Sequence, residues 1–108
     1  MTKFRIIYII TSSKKEAKKI AEILVKEKLA ACINFFPIES IYKWRKEIKK
    51  EKEFGMIIKT KTKLVEKVIK RVKGLHSYEV PCIISFPVEK GYKKFLEWID
   101  ESTKQKEN

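Results

Sequence analysis

Aspartate is almost missing from this 108-residue chain, Asp100 being the only one. A hydrolase working through paired carboxylates would have to draw on glutamates that mostly read as surface charge. Glycine is nearly as scarce: Gly55, Gly74 and Gly91 stand alone, so no Gly-rich loop cradles a phosphate. Histidine occurs once, at His76, and the two cysteines, Cys32 and Cys82, lie far apart in apolar contexts. They form neither a CxxC pair nor the dense framework of a small secreted scaffold, so reduced thiols in a cytoplasm are the expected state. Long apolar runs are absent as well. The N-terminal "IIYII" is shorter than the roughly 7–15 residues of a signal-peptide core and far too short to span a membrane.

What is present suits one globular domain. The apolar fraction is 44% and the charged fraction 37%, so most charge must lie on the surface. A chain of this length buries about 65% of its unfolded surface, enough for a single core. The domain is placed at residues 1–101, followed by a polar tail over 102–108 that is expected to fray. The net charge of +12 invites a nucleic-acid reading, since lysine and arginine release counterions from phosphate backbones. Against that, 23 of the 26 basic residues are lysine, scattered beside glutamate through every segment rather than gathered in an arginine stripe. Lysine and glutamate in this abundance also mark heat-adapted surfaces.

Residues 4–10 read as a central strand buried on both faces. Ser13 and Glu16 form a capping box, and Ala17, Ile20, Ala21, Leu24 and Lys28 recur at helical spacing after it. A second strand begins at Ala30 and is broken at Pro37; alternation resumes over 38–44, with Ile38, Ser40, Tyr42 and Trp44 on one side. A turn at Arg45 and Lys46 reverses the chain into a long strand over 47–60. A second helix spans about 62–73 with Gly74 as a left-handed stop, a fourth strand covers "EVPCIISFPV" to Pro87, and a final helix places Tyr92, Phe95, Leu96 and Ile99 on one face. The order β-α-β-β-α-β plus a C-terminal helix is that of an α+β, ferredoxin-like sandwich. One face of its sheet stays uncovered, which self-association would relieve.

The stretch "LHSYEVPCI" sets His76, Glu79 and Cys82 close together in sequence. They read as three ligands of one ion, or as a turn entering a buried strand. His76 follows a helix end, where it serves either as a capping and packing residue or as a metal or ligand contact. Cys32 and Cys82 are each core thiols or soft-metal ligands. Tyr42 and Trp44 near the hairpin tip are interface candidates, or pack under the C-terminal helix. A nucleic-acid module remains the second reading, since ferredoxin-like sheets can stack bases on aromatics, although no "K/R-G-F/Y" stretch occurs on the third strand.

Read together, "LAACINFFPIESIYKWRKEI", "EFGMIIKTK" and "LHSYEVPCI" resemble the CutA family of divalent-cation tolerance proteins, over nearly the whole chain. The resemblance implies a ferredoxin-like homotrimer, similar in architecture to PII-type signalling proteins and with no established enzymatic reaction; the cysteine usage adds the cytoplasm. It further implies binding of copper or another divalent ion, or a small ligand, in clefts between subunits. Carried over by position, that cleft takes Cys32, Tyr42, Trp44, Glu53, Lys59, His76 and Tyr78. Tyr42, Trp44, Glu53, Lys59 and Tyr78 are ligand-binding candidates, and Cys32, His76 and Glu79 the metal candidates. The chain departs from the family pattern at Lys46, where glycine is usual, at Ser77 for proline, and at Cys82 for glutamate. Lys46 makes the tip turn harder to close, and Cys82 shifts metal preference toward soft ions if it faces the cleft.

Overall fold

The computed structural model describes residues 2–105. Strand β1 (Phe4–Thr11) leads into helix α1 (Lys14–Lys26), then to the long strands β2 (Cys32–Trp44) and β3 (Glu47–Lys61). A 3-10 turn, Thr62–Leu64, opens helix α2 (Val65–Leu75), followed by the short strand β4 (Ile83–Pro87) and helix α3 (Lys93–Ser102). The four strands form one sheet in the order β2-β3-β1-β4, antiparallel throughout. This is the ferredoxin-like sandwich expected from the element order.

The core lies between one sheet face and two helices. Ile7, Ile9, Met56 and Ile58 point from the sheet into Ala17, Ile20 and Leu24 of α1 and Val68 and Val72 of α2, all of them fully buried. Strand β1 is central, yet its other face is only half-buried, because no helix covers Tyr8 and Ile10 there. Far along that face, helix α3 covers Lys61, whose side chain is only 2% exposed. Lys61 pairs with Asp100 at 2.9 Å, and Lys3 binds the second carboxylate oxygen of Asp100 at 2.8 Å. These two ammonium groups, Lys3 foremost, hold the Asp100 carboxyl down at about 2.

Several local expectations change. Strand β2 is not broken at Pro37: the ladder continues unbroken there, with Pro37 opposite Phe54. β2 is an edge strand, and a proline whose nitrogen points away from the sheet costs no ladder bond. Gly74 is no left-handed stop, since no glycine has positive φ and α2 continues to Leu75. The helix ends instead at His76, whose extended backbone (φ −78°, ψ 141°) is pinned by its own side chain, as described below. Lys28 lies beyond α1 and takes φ 60° in the turn that follows. The fourth strand is shorter than its apolar run, because residues 79–82 form an irregular loop. Ser102 closes α3, Thr103 is fully buried with its hydroxyl donating to the Ile99 carbonyl, and the end of the tail, 106–108, lies outside the described residues.

The hairpin tip is a two-residue loop in which Arg45 (φ 51°) and Lys46 (φ 69°) both adopt the left-handed region. That pair of conformations defines a type I′ turn, whose twist matches the flanking strands. Lysine therefore closes the turn despite its side chain, at a backbone cost of about 1–2 kcal/mol.

Candidate functional site

Strands of unequal length create the cleft. β1 ends at Thr11, opposite Phe54, whereas β3 extends outward from there to Glu47, paired only with β2. The arm formed by residues 38–53 thus overhangs the domain, and the loop after α2 fills the place a longer β1 would have taken. Between arm and loop lies a cleft of roughly 800 Å³ whose walls include Tyr42, Trp44, Glu51, Glu53, Tyr78 and Cys82. Period-two alternation places Tyr42, Glu51 and Glu53 on the same face as Gly55 and Tyr8, the face left free of α1 and α2. Gly55 is required here: a Cβ on it would stand 2.9 Å from the Phe36 ring and 3.3 Å from the Tyr8 hydroxyl.

Glu53 is the electrostatic centre. It is 5% exposed, and the Tyr78 hydroxyl donates to its Oε2 at 2.5 Å. Among the described residues no ion pair reaches it. Burial, then this carboxylate, pushes the Tyr78 phenol well above its ordinary value. Burial and Glu53 likewise raise the Cys82 thiol, and burial, Cys82 and Glu53 raise Tyr8. Tyr42 is raised by burial and by Glu51. The cleft therefore keeps its phenols and its thiol protonated around the Glu53 carboxyl group.

His76 stands behind Tyr78, ring centroids 4.9 Å apart. Its Nε2 donates to the Ile10 carbonyl at 2.7 Å, and its Nδ1 accepts from the Tyr78 N–H at 3.0 Å. The pattern assigns a neutral imidazole with the proton on Nε2. The capping reading of His76 thus has a structural basis: its N–H caps Val72 while its ring ties the loop to β1. Glu79 lines the cleft with its side chain exposed, and its carbonyl accepts from Lys73 at 3.0 Å.

The sequence-predicted residues fall into two groups. Tyr42, Trp44, Glu53, Tyr78 and Glu79 border the cleft, with His76 behind Tyr78. Cys32 and Lys59 sit elsewhere on the same sheet face, Lys59 Nζ 3.8 Å from Cys32 Sγ and hydrogen-bonded to Asn34. Lys59 follows Glu53 by six positions on β3, about 20 Å along the strand. Cys32, His76 and Glu79 therefore do not converge within one chain, and no three His, Cys, Asp or Glu side chains group to hold an ion among the described residues. Cys82 faces the cleft rather than the core. Tyr42 and Trp44 do not pack under α3, which lies at the far end of β3. Ser77 donates its N–H to Glu16 at 2.8 Å, a bond the proline usual at this position could not make. Glu51 and Tyr8 escaped sequence reading, as did the bond from Glu16, read as a helix cap, to the cleft loop. Alternation from Glu53 points to Glu51, but nothing local points to that bond.

Fold and cleft together define a ferredoxin-like sandwich with an overhanging arm and an acidic, tyrosine-lined recess. Residues 5–102 match the CutA1 divalent ion tolerance protein family, and the chain belongs to it. It is 48% identical to the divalent-cation tolerance protein CutA of Archaeoglobus fulgidus, covering 89% of this chain and 94% of that one. It is 39% identical to the chloroplastic protein CutA of Arabidopsis thaliana over 92% of this chain, and spans 55% of the length of that longer relative. A solved structure from A. fulgidus superposes with a TM-score of 0.92 at 46% identity, covering 94% and 99% of the two chains. That structure is described as a periplasmic divalent cation tolerance protein, which overturns the cytoplasmic assignment; free thiols alone do not decide a compartment. Among the described residues no helix is long and apolar enough to cross a membrane. The nucleic-acid reading finds no support in these matches. The half-exposed aromatics Tyr42 and Trp44 share their face with Glu51 and Glu53, which repel phosphate.

Proposed function

We propose that the protein is a non-enzymatic homotrimer that takes up a divalent ion, copper foremost, or a small cationic ligand in clefts completed between subunits. The observation that carries this reading is Glu53, 5% exposed, whose carboxyl group has the Tyr78 phenol as its one side-chain partner among the described residues. Buried charges are ordinarily paired, so a cation entering the cleft supplies what the chain does not. The donors fit such an ion in part: Glu53 offers oxygen and Cys82 sulfur, a mixture suited to borderline ions such as copper or zinc. One chain supplies too few donors, and the trimer adds those of a neighbour, with Cys32 and Glu79 as the remaining candidates, since both ring nitrogens of His76 are already engaged. Its assembly is supported by the arm, where Ile41 is 72% and Ile48 65% exposed on strands that nothing among the described residues covers.

A binding rather than catalytic role agrees with the protonation states. Both ring nitrogens of His76 are engaged in holding the loop and are not free for acid-base work, and an ion bound at Cys82 must displace the proton that burial holds on its thiol. Sedimentation at nanomolar concentration should give the mass of three chains, and a monomer there would refute the assembly. Copper titration of Glu53→Gln should show affinity at least about tenfold weaker than wild type, as removal of a buried charged contact predicts. Unchanged affinity would move the ion elsewhere.

A further inference from the structure

Tyr78 reaches Glu53 from a loop whose path is held by a residue of a distant element. Glu16, in the first turn of α1, accepts at Oε1 from the Ser12 N–H and the Ser12 hydroxyl, both at 2.9 Å. Its Oε2 accepts from the Ser77 N–H at 2.8 Å. The expected capping box is thus only half formed: Ser13 Oγ accepts from the Glu16 N–H, but the glutamate reaches Ser12 instead of Ser13 and turns its second oxygen outward. The amides of Ser77 and Tyr78, consecutive in the chain, therefore end on two different side chains, Glu16 and His76. Helix α1 is anchored by the buried Ala17, Ile20 and Leu24, so Glu16 is a fixed point against which the loop is set.

We propose that Glu16 is a positioning residue of the cleft, its carboxylate gripping the Ser77 amide and thereby setting Tyr78 against Glu53. This rests on the cleft reading given above. A purely capping role would need only Oε1, whereas Oε2 spans to a separate element. Burial alone would raise the Glu16 carboxyl, but the hydrogen bonds from Ser12 and Ser77 bring it below the usual range, so both oxygens accept at neutral pH. A second route to the same stiffness exists in the backbone. His76, at φ −78° and ψ 141°, already has the conformation required of a residue before proline. Ser77→Pro would fix the loop through its ring while dispensing with the N–H that Glu16 holds.

The test compares wild type, Glu16→Ala and Glu16→Ala/Ser77→Pro by amide hydrogen exchange and copper titration, with Glu16→Gln as a milder variant retaining one acceptor oxygen. In Glu16→Ala the Tyr78 amide should exchange about tenfold faster and copper bind about tenfold more weakly, with α1 amides unchanged. Glu16→Gln should fall between, and the added proline should restore both quantities toward wild type. Equal loosening of α1 and the loop, or an unmoved Tyr78 amide, would reduce Glu16 to a helix cap and overturn the proposal. So would a proline that raises the melting temperature without restoring exchange. Should the wild-type protein fail to bind copper, the cleft reading falls, and exchange at Tyr78 still decides the role of Glu16.

Discussion

The two faces of this one sheet handle polarity in opposite ways. On the face covered by α1 and α2, Ile7, Ile9, Met56 and Ile58 are fully buried, and the two threonines among them spend their hydroxyls on carbonyls of Phe54 and Leu29. On the other face the chain buries Lys61 under α3 and Glu53 beside the cleft. Lys61 finds its counter-ion in Asp100, whereas the side-chain partner of Glu53 among the described residues is the Tyr78 phenol. The proposed ion site rests on that difference.

Ile58→Ala on the covered face should have the largest effect, lowering stability by about 2–5 kcal/mol in denaturant titration, because the cavity is sealed between sheet and helices. A loss under about 1 kcal/mol would mean that the covered face repacks freely. Gly55→Ala on the open face should cost about 1–3 kcal/mol, since the new methyl group forces the Phe36 ring and the Tyr8 hydroxyl aside, and thermal melting would register it.

At the α3 end, the carboxyl of Asp100 is depressed to about 2 by Lys3 and Lys61. A depressed acid stabilises the fold above its unfolded value, about 4, and that contribution disappears as pH falls from there toward the folded value. The melting temperatures of wild type and Asp100→Asn should therefore differ most at neutral pH and converge between about pH 4 and 2. A gap independent of pH would show that Asp100 acts through packing. The smallest effect is expected at the tip, where Lys46→Gly relieves a left-handed lysine and should stabilise by about 0.5–1 kcal/mol, read as a modest rise in melting temperature.

The fold was legible because its signals are local. The apolar stripe of α1, the alternation of the two long strands and the turn at Arg45 and Lys46 each lie within a few residues of the structure they specify. Boundaries were less legible: Gly74 and Pro37 look like breakers, yet one sits inside a helix and the other on an unpaired edge, facts that depend on tertiary neighbours. Half of the cleft could be read from alternation and resemblance, as Tyr42, Glu53 and Tyr78 show. The separation of Cys32 from His76 could not, because strand order places them apart and linear sequence does not reveal strand order. The reach of Glu16 to the cleft loop was hidden for the same reason, its partner Ser77 being 61 positions away.

Pro37 has a consequence beyond letting its own strand continue. Its missing N–H leaves a gap in the row of donors along the outer rim of β2, in the middle of a 13-residue edge. A foreign strand sliding along this rim must place one acceptor opposite nothing, so most alignments lose a bond and only those that skip this point remain well matched. The rim is thus divided into two shorter stretches of donors, which makes it a poorer template for the indiscriminate strand stacking that builds fibres.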